Sequence, residues 1–119
     1  MTMAIAVYAG TFDPMTAGHL SILRQAARIF SHLRILVAQN PDKTPLFTAE
    51  ERVELIHSVV QKMPQVSVDS TPGLVVEYAK EIGASFLVRG IRGATDAEFE
   101  TNLAKINRKI APAITTVLI

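Results

Sequence analysis

The 119-residue sequence contains no cysteine. That excludes a disulfide framework, a thiolate nucleophile and a cysteine-based zinc site. It also lacks an excess of either charge: 12 Lys+Arg stand against 11 Asp+Glu, a formal net charge of +1. A near-neutral chain has no whole-molecule field for nucleic acid or an anionic membrane, so any anion site must be local. Long apolar runs are missing as well. The stretch Met3–Ala9 is strand-sized, far short of the roughly 20 residues that span a bilayer. No positively charged segment precedes it, so neither a signal peptide nor a membrane span is expected, and the expected location is the cytoplasm. There is no internal repeat or low-complexity tract. Neither the G-x-G-x-x-G dinucleotide fingerprint nor a G-x-x-x-x-G-K-[ST] phosphate loop is present.

What is present is regular. Hydrophobic residues make up 49% and charged residues 19% of the chain, which excludes intrinsic disorder. Five short apolar runs read as strands: Met3–Ala9, Leu33–Gln39, Val66–Asp69, Ser85–Arg89 and Ile114–Ile119. Most are continuously apolar, as strands covered on both faces are. Amphipathic segments separate them. Gly18–Phe30, Thr48–Met63, Gly73–Ile82 and Thr95–Lys109 read as helices. Thr48–Glu51 and Thr95–Glu98 look like capping boxes, Gly83 suits a helix C-terminus, and Pro112 stops the last helix. Val53, Ile56, Val59, Val60 and Met63 are expected on one buried face. The order βαβαβαβαβ predicts a single α/β domain over residues 1–119, a doubly wound, five-stranded parallel sheet of Rossmann-like type.

Ligands of such folds bind beyond the carboxyl ends of the strands, which directs attention to three loops. The first, Gly10–His19, places His19 at a helix start, where free N–H groups favour an anion and disfavour an imidazolium. On this reading a bound phosphate is needed to keep His19 protonated or donating. The second, Asn40–Phe47, holds Lys43 between two prolines. The third, Arg89-Gly90-Ile91-Arg92-Gly93, offers two arginines suited to bidentate phosphate contacts. His19, Lys43, Arg89 and Arg92 are thus expected at one crevice that takes a polyanion. No cluster of protein metal ligands is expected. His32 and His57 receive no role, and Tyr78 and Phe99 are expected as core or subunit contacts.

The string Tyr8-Ala9-Gly10-Thr11-Phe12-Asp13-Pro14-Met15-Thr16-Ala17-Gly18-His19 contains the T-x-G-H arrangement of nucleotidyltransferases. It resembles the N-terminal signature of the bacterial phosphopantetheine adenylyltransferase family. Pro41–Thr48 with Glu50-Glu51-Arg52 resembles that family's second block. Leu87–Arg92, with Asp96, Glu98, Glu100, Ala104, Asn107-Arg108 and Pro112, resembles its third. Ala9 replaces a common proline, and Phe99 a frequent tyrosine. The resemblance implies transfer of AMP from ATP to 4′-phosphopantetheine, giving dephospho-CoA and pyrophosphate in coenzyme A synthesis, with Mg²⁺ as cofactor and a homohexameric assembly.

By resemblance His19 stabilises the transition state, with Lys43 and Arg92 alongside it. Thr11, Phe12, Gly90, Ile91, Arg92 and Glu100 join His19 in the ATP site. Thr11, Lys43, Val75 and Arg89 hold the acceptor. Two alternatives stay open: a non-catalytic nucleotide- or CoA-binding module, and a related nucleotidyltransferase with another phosphorylated acceptor. Family members continue past the fifth strand into an I-S-S-[ST] loop and further helices. The sequence is therefore expected to be short at its C-terminus, with one face of the last strand uncovered and catalysis weakened.

Overall fold

The computed structural model describes residues 4–119; Met3, the expected start of the first strand, lies outside the described residues. Nine elements alternate: β1 (Ile5–Gly10), α1 (Ala17–Ile29), β2 (His32–Ala38), α2 (Ala49–Val60), β3 (Val66–Thr71), α3 (Val75–Glu81), β4 (Phe86–Arg89), α4 (Ala94–Ile110) and β5 (Thr115–Leu118). The strands form one parallel sheet in the order β3-β2-β1-β4-β5. The expected architecture is therefore present.

Strand parity builds two cores. Ala6, Tyr8, Leu33, Ile35, Val37 and Val88 face one side, where Leu23, Ala26 and Phe30 of the α1 segment and Ile56 and Val60 of α2 cover them. Val7, Ala9, Leu36 and Leu87 face the other, against Val76 and Ala79 of α3 and the Ala111–Ile114 turn. Alternation along a strand sends neighbours to opposite faces, so a strand buried on both reads as a continuous apolar run. The winding direction reverses between β1 and β4. A crevice opens there, beyond the carboxyl ends of the strands.

The helix ends explain the element boundaries. Thr48 and Glu51 form the expected reciprocal capping box on α2. Gly83, at φ +73°, follows α3; its N–H reaches Lys80 and that of Ala84 reaches Ala79. This is a Schellman closure, whose left-handed residue favours glycine.

Two expectations fail. The box at Thr95–Glu98 does not form: α4 starts one residue earlier, with Gly93 as an N-cap that has no side chain to accept a first-turn N–H. The Asp96 carboxylate instead accepts the Arg92 main-chain N–H and Nε. The buried stripe of α2 is also shifted. Val59 is half-exposed, whereas Arg52 is buried with Ile56 and Val60. β5 is an edge strand, and its residues are half-buried or exposed. No helix among the described residues is long and apolar enough to cross a membrane.

Candidate active site

The crevice has a volume of about 820 Å³. Thr11, Phe12, His19, Lys43, Arg89, Gly90, Ile91, Arg92 and Glu100 all line it, so the three loops converge as expected. Val75 does not. It lines an adjoining apolar cavity of about 260 Å³ with Leu74, Leu87, Leu103 and Ile106. Arg89 lines both spaces and marks their junction.

His19 is placed by the start of α1. Thr16 is the N-cap, and its hydroxyl accepts the His19 N–H at 3.3 Å. In return the Thr16 main-chain N–H donates to His19 Nδ1 at 3.0 Å. This is a capping box with histidine where glutamate usually stands. An Nδ1 that accepts an N–H has no proton of its own, so the neutral ring carries its proton on Nε2. Burial, and then the Arg92 guanidinium, hold the His19 pKa below its ordinary value. His19 is therefore a neutral Nε2–H donor without any bound anion, a correction to the expectation that a phosphate must hold it in a donating state.

Phe12 supports this ring. Its own ring is buried and lies edge-on to Tyr8 and to His19, at centroid distances of 5.3 and 5.0 Å. Its main chain is in the left-handed region at φ 48°, an uncommon state for a bulky residue. A Cβ on Gly10 would sit 2.9 Å from Phe12 Cζ, so glycine is what lets this ring tuck under the loop. With the ring buried, Phe12 offers main chain rather than side chain to the crevice.

The cations differ in their freedom. Lys43 is exposed, at the end of a turn where its N–H donates to the Asn40 carbonyl. Arg92 is also exposed and holds Asp96 at 3.0 Å; that contact keeps the Asp96 carboxyl below the usual range. Arg89 is largely committed. Its Nε and Nη2 donate to the two Glu100 oxygens at 2.8 and 2.9 Å, and Nη1 donates to the Ala9 carbonyl at 3.0 Å. Three of five N–H groups are used, leaving two for a ligand. Glu100 is buried, and its carboxylate grips Arg89. The end of β5 fixes this loop: the Ile119 N–H donates to the Arg89 carbonyl, and Ile91 donates to the Ile119 carbonyl.

Every carboxylate at the crevice is thus engaged: Asp13 by main-chain N–H groups, Asp96 by Arg92, Glu100 by Arg89. Among the described residues no group of three acids or histidines is placed to hold a metal ion. Tyr78 is no simple core residue, since its hydroxyl joins Arg34 and Asp69. Phe99 is 62% exposed and lies outside the core.

Sequence reasoning assigned no role to Thr16, Asp13 or Arg52. The signal for Arg52 was a charge four residues before the buried Ile56, on the same helix face.

Comparison with known proteins identifies the family. The cytidylyltransferase-like family model matches residues 7–118. Phosphopantetheine adenylyltransferase of Desulforudis audaxviator is 47% identical over 98% of this chain and 72% of that protein. The Herpetosiphon aurantiacus protein of the same name is 50% identical over 97% of this chain and 70% of its own length. In fold, the chain resembles a lipopolysaccharide core biosynthesis protein from Thermoplasma volcanium (TM-score 0.73, 21% identity, 99% of this chain and 97% of that one). A bifunctional NMN adenylyltransferase/ADP ribose pyrophosphatase from Francisella tularensis has the same TM-score of 0.73 at 16% identity, over 99% of this chain and 38% of that one. Identity of this order, spread over nearly the whole chain and over more than two thirds of these relatives, means that this chain belongs to the phosphopantetheine adenylyltransferase family.

Proposed function

We propose that this chain transfers the adenylyl group of ATP to 4′-phosphopantetheine, giving 3′-dephospho-CoA and pyrophosphate. The observation that carries the reading is the pair of joined spaces. The crevice that holds the His19 Nε2–H and the apolar cavity lined by Val75 share Ala9 and Arg89 in their walls. Such a pair suits a triphosphate on one side and a phosphorylated acceptor with an apolar arm on the other.

The acceptor phosphate is the nucleophile. It is already anionic near neutral pH, because a phosphomonoester's second pKa is about 6. No general base is needed. One acceptor oxygen forms the new bond to the α-phosphorus as the bond to the bridging oxygen breaks, and pyrophosphate leaves with that electron pair. His19 donates from Nε2 to the α-phosphate as charge shifts onto its oxygens. Lys43 and the two unused N–H groups of Arg89 hold the acceptor phosphate, with Thr11 beside them. Arg92 and the main chain of Phe12, Gly90 and Ile91 hold ATP. Glu100 serves through Arg89. These groups bring two mutually repelling anions into line, which is most of the work in phosphoryl-type transfer.

Mg²⁺ fits here as the counter-ion of the triphosphate, since it keeps its waters and binds substrate phosphates more readily than protein cages. The crevice carboxylates are engaged elsewhere, and no step is assigned to the ion. The reading also includes a homo-oligomer, a hexamer by family resemblance, and a cytoplasmic location. Exposed Phe99, Ile106 and Ile110 on α4 support self-association.

Pyrophosphate release, measured with ATP and each of 4′-phosphopantetheine, nicotinamide mononucleotide and glycerol phosphate, tests the reading. Turnover with the first alone is expected. Turnover with another acceptor alone overturns the substrate, and ATP binding without turnover favours a non-catalytic module.

A further inference from the structure

Arg52 is 4% exposed. Among the described residues no carboxylate pairs with it. Its donors go to main-chain carbonyls from two loops: Nη1 to Thr11 at 2.9 Å, and Nε to Phe47 at 3.1 Å and Thr48 at 3.3 Å. Burying a guanidinium this way is costly unless its hydrogen bonds are made. A planar fork with several donors can reach carbonyls on two loops at once, whereas an ammonium acts from a single point. An apolar residue would pack equally well beside Ile56 and Val60, so packing alone does not call for arginine.

Asp13 makes the converse connection. Its carboxylate accepts the Leu46 N–H at 2.7 Å and the Phe47 N–H at 2.9 Å. The Phe47 peptide is therefore held at both ends, its N–H by Asp13 and its carbonyl by Arg52. Asp13 and Thr11 belong to the turn that leads into His19. Phe47 ends the loop that carries Lys43, and Pro45 stiffens the stretch between them.

We propose that Asp13 and Arg52 are positioning residues that clamp the first two loops together and so set the span between Thr11 and Lys43, the two groups facing the acceptor phosphate. The inference rests on the adenylyl-transfer reading. Arg52 lies outside the lining of the crevice, and both Asp13 carboxylate oxygens are taken by main-chain N–H groups, so neither is assigned a contact with substrate. The consequence is selective: loosening the clamp moves Lys43 relative to Thr11 while Arg92 and the β4 loop stay in place.

The test is calorimetric titration of ATP and of 4′-phosphopantetheine, each alone, into wild type, Asp13→Asn, Arg52→Lys, Lys43→Ala and the double variant Asp13→Asn/Lys43→Ala. Asp13→Asn and Arg52→Lys are expected to weaken 4′-phosphopantetheine by about tenfold, since ångström-scale misplacement of a binding group has effects of that order or more. ATP binding should change by less than about twofold. The double variant should bind the acceptor within about twofold of Lys43→Ala alone, because a displaced Lys43 has little left to lose. A purely structural role gives multiplicative losses instead. Amide hydrogen exchange on wild type supplies a check that needs no variant: the Leu46 and Phe47 amides should be protected. Wild-type acceptor affinity in folded Asp13→Asn, multiplicative losses, or unprotected Leu46 and Phe47 amides each overturn the clamp alone. Wild type that binds ATP but no 4′-phosphopantetheine overturns the functional reading and the clamp with it.

Discussion

His19 shows how much chemistry a single local contact can set. The string Thr16-x-x-His19 places the ring at N3 of α1, and the Thr16 N–H then dictates which ring nitrogen carries the proton. His19→Ala is expected to lower kcat by about 10²–10³, the usual cost of one preorganised donor to developing charge, with a smaller change in the KM for ATP. Near-normal kcat would remove His19 from the mechanism. The pH dependence has a definite sign. His19 has a pKa held below 6.5 in the folded protein, by burial first and Arg92 second. A depressed pKa means the folded state binds fewer protons than the unfolded state. The stabilising contribution is then complete above about 6.5 and is lost as pH falls through the lower folded value. Protonation would also put a proton on Nδ1, facing the Thr16 N–H. An NMR titration of His19 should give a midpoint below 6.5, and Arg92→Gln should move it partway back up; a wild-type midpoint at or above 6.5 contradicts the depression by burial and Arg92. Lys43, exposed and paired with no carboxylate among the described residues, should act on the acceptor: Lys43→Ala is expected to weaken 4′-phosphopantetheine more than ATP in separate titrations. The sequence made the cations of the loops visible, but it could not show that Arg89 is spoken for by Glu100 and Ala9 while Lys43 is free. That depends on residues 11 and 80 positions away.

At the scale of elements, legibility follows the range of the interactions. The central strands declared themselves because burial on both faces leaves few polar positions, and α2 did so through its capping box. The start of α4 was misplaced because two patterns compete there. Thr95–Glu98 has the letters of a capping box, yet Asp96 is drawn to Arg92, which the loop after β4 holds close to it. In α2, Arg52 is buried because three main-chain carbonyls accept its donors, a partnership that the apolar pattern of the helix does not show. The closure of α3 offers a clean test of local geometry. A Cβ on Gly83 would meet nothing within 4 Å, so Gly83→Ala should cost only the left-handed backbone penalty, about 1 kcal/mol. Thermal or urea unfolding measures it. An unchanged midpoint would mean that the turn relaxes to another conformation.

For the whole molecule, topology was legible and coverage was not. The alternation of strands and helices implied parallel strands and right-handed crossovers, and these put three remote loops on one edge. Which helix face meets the sheet is a tertiary outcome. In α4 the residues Phe99, Leu103, Ile106 and Ile110 recur at helical spacing, yet only Glu100 of that helix is buried, and Phe99 and Ile106 are 62% and 55% exposed. This face is where the proposed self-association should act. A stable contact between copies hides about 800 Å² per partner, a modest part of the 7424 Å² this chain exposes. A near-neutral net charge opposes association little. Sedimentation velocity should show the wild type well above 13.0 kDa at micromolar concentration. Phe99→Glu should shift it toward the single chain with an unchanged far-UV spectrum, because a carboxylate buried without a partner at an interface is costly. Val59→Glu is the control. Val59 is 50% exposed but lies on α2, against the opposite face of the sheet. Its substitution should leave the assembly as it is. A wild type that sediments at 13.0 kDa removes self-association from the reading, and equal dissociation by both variants would place the contact elsewhere than α4.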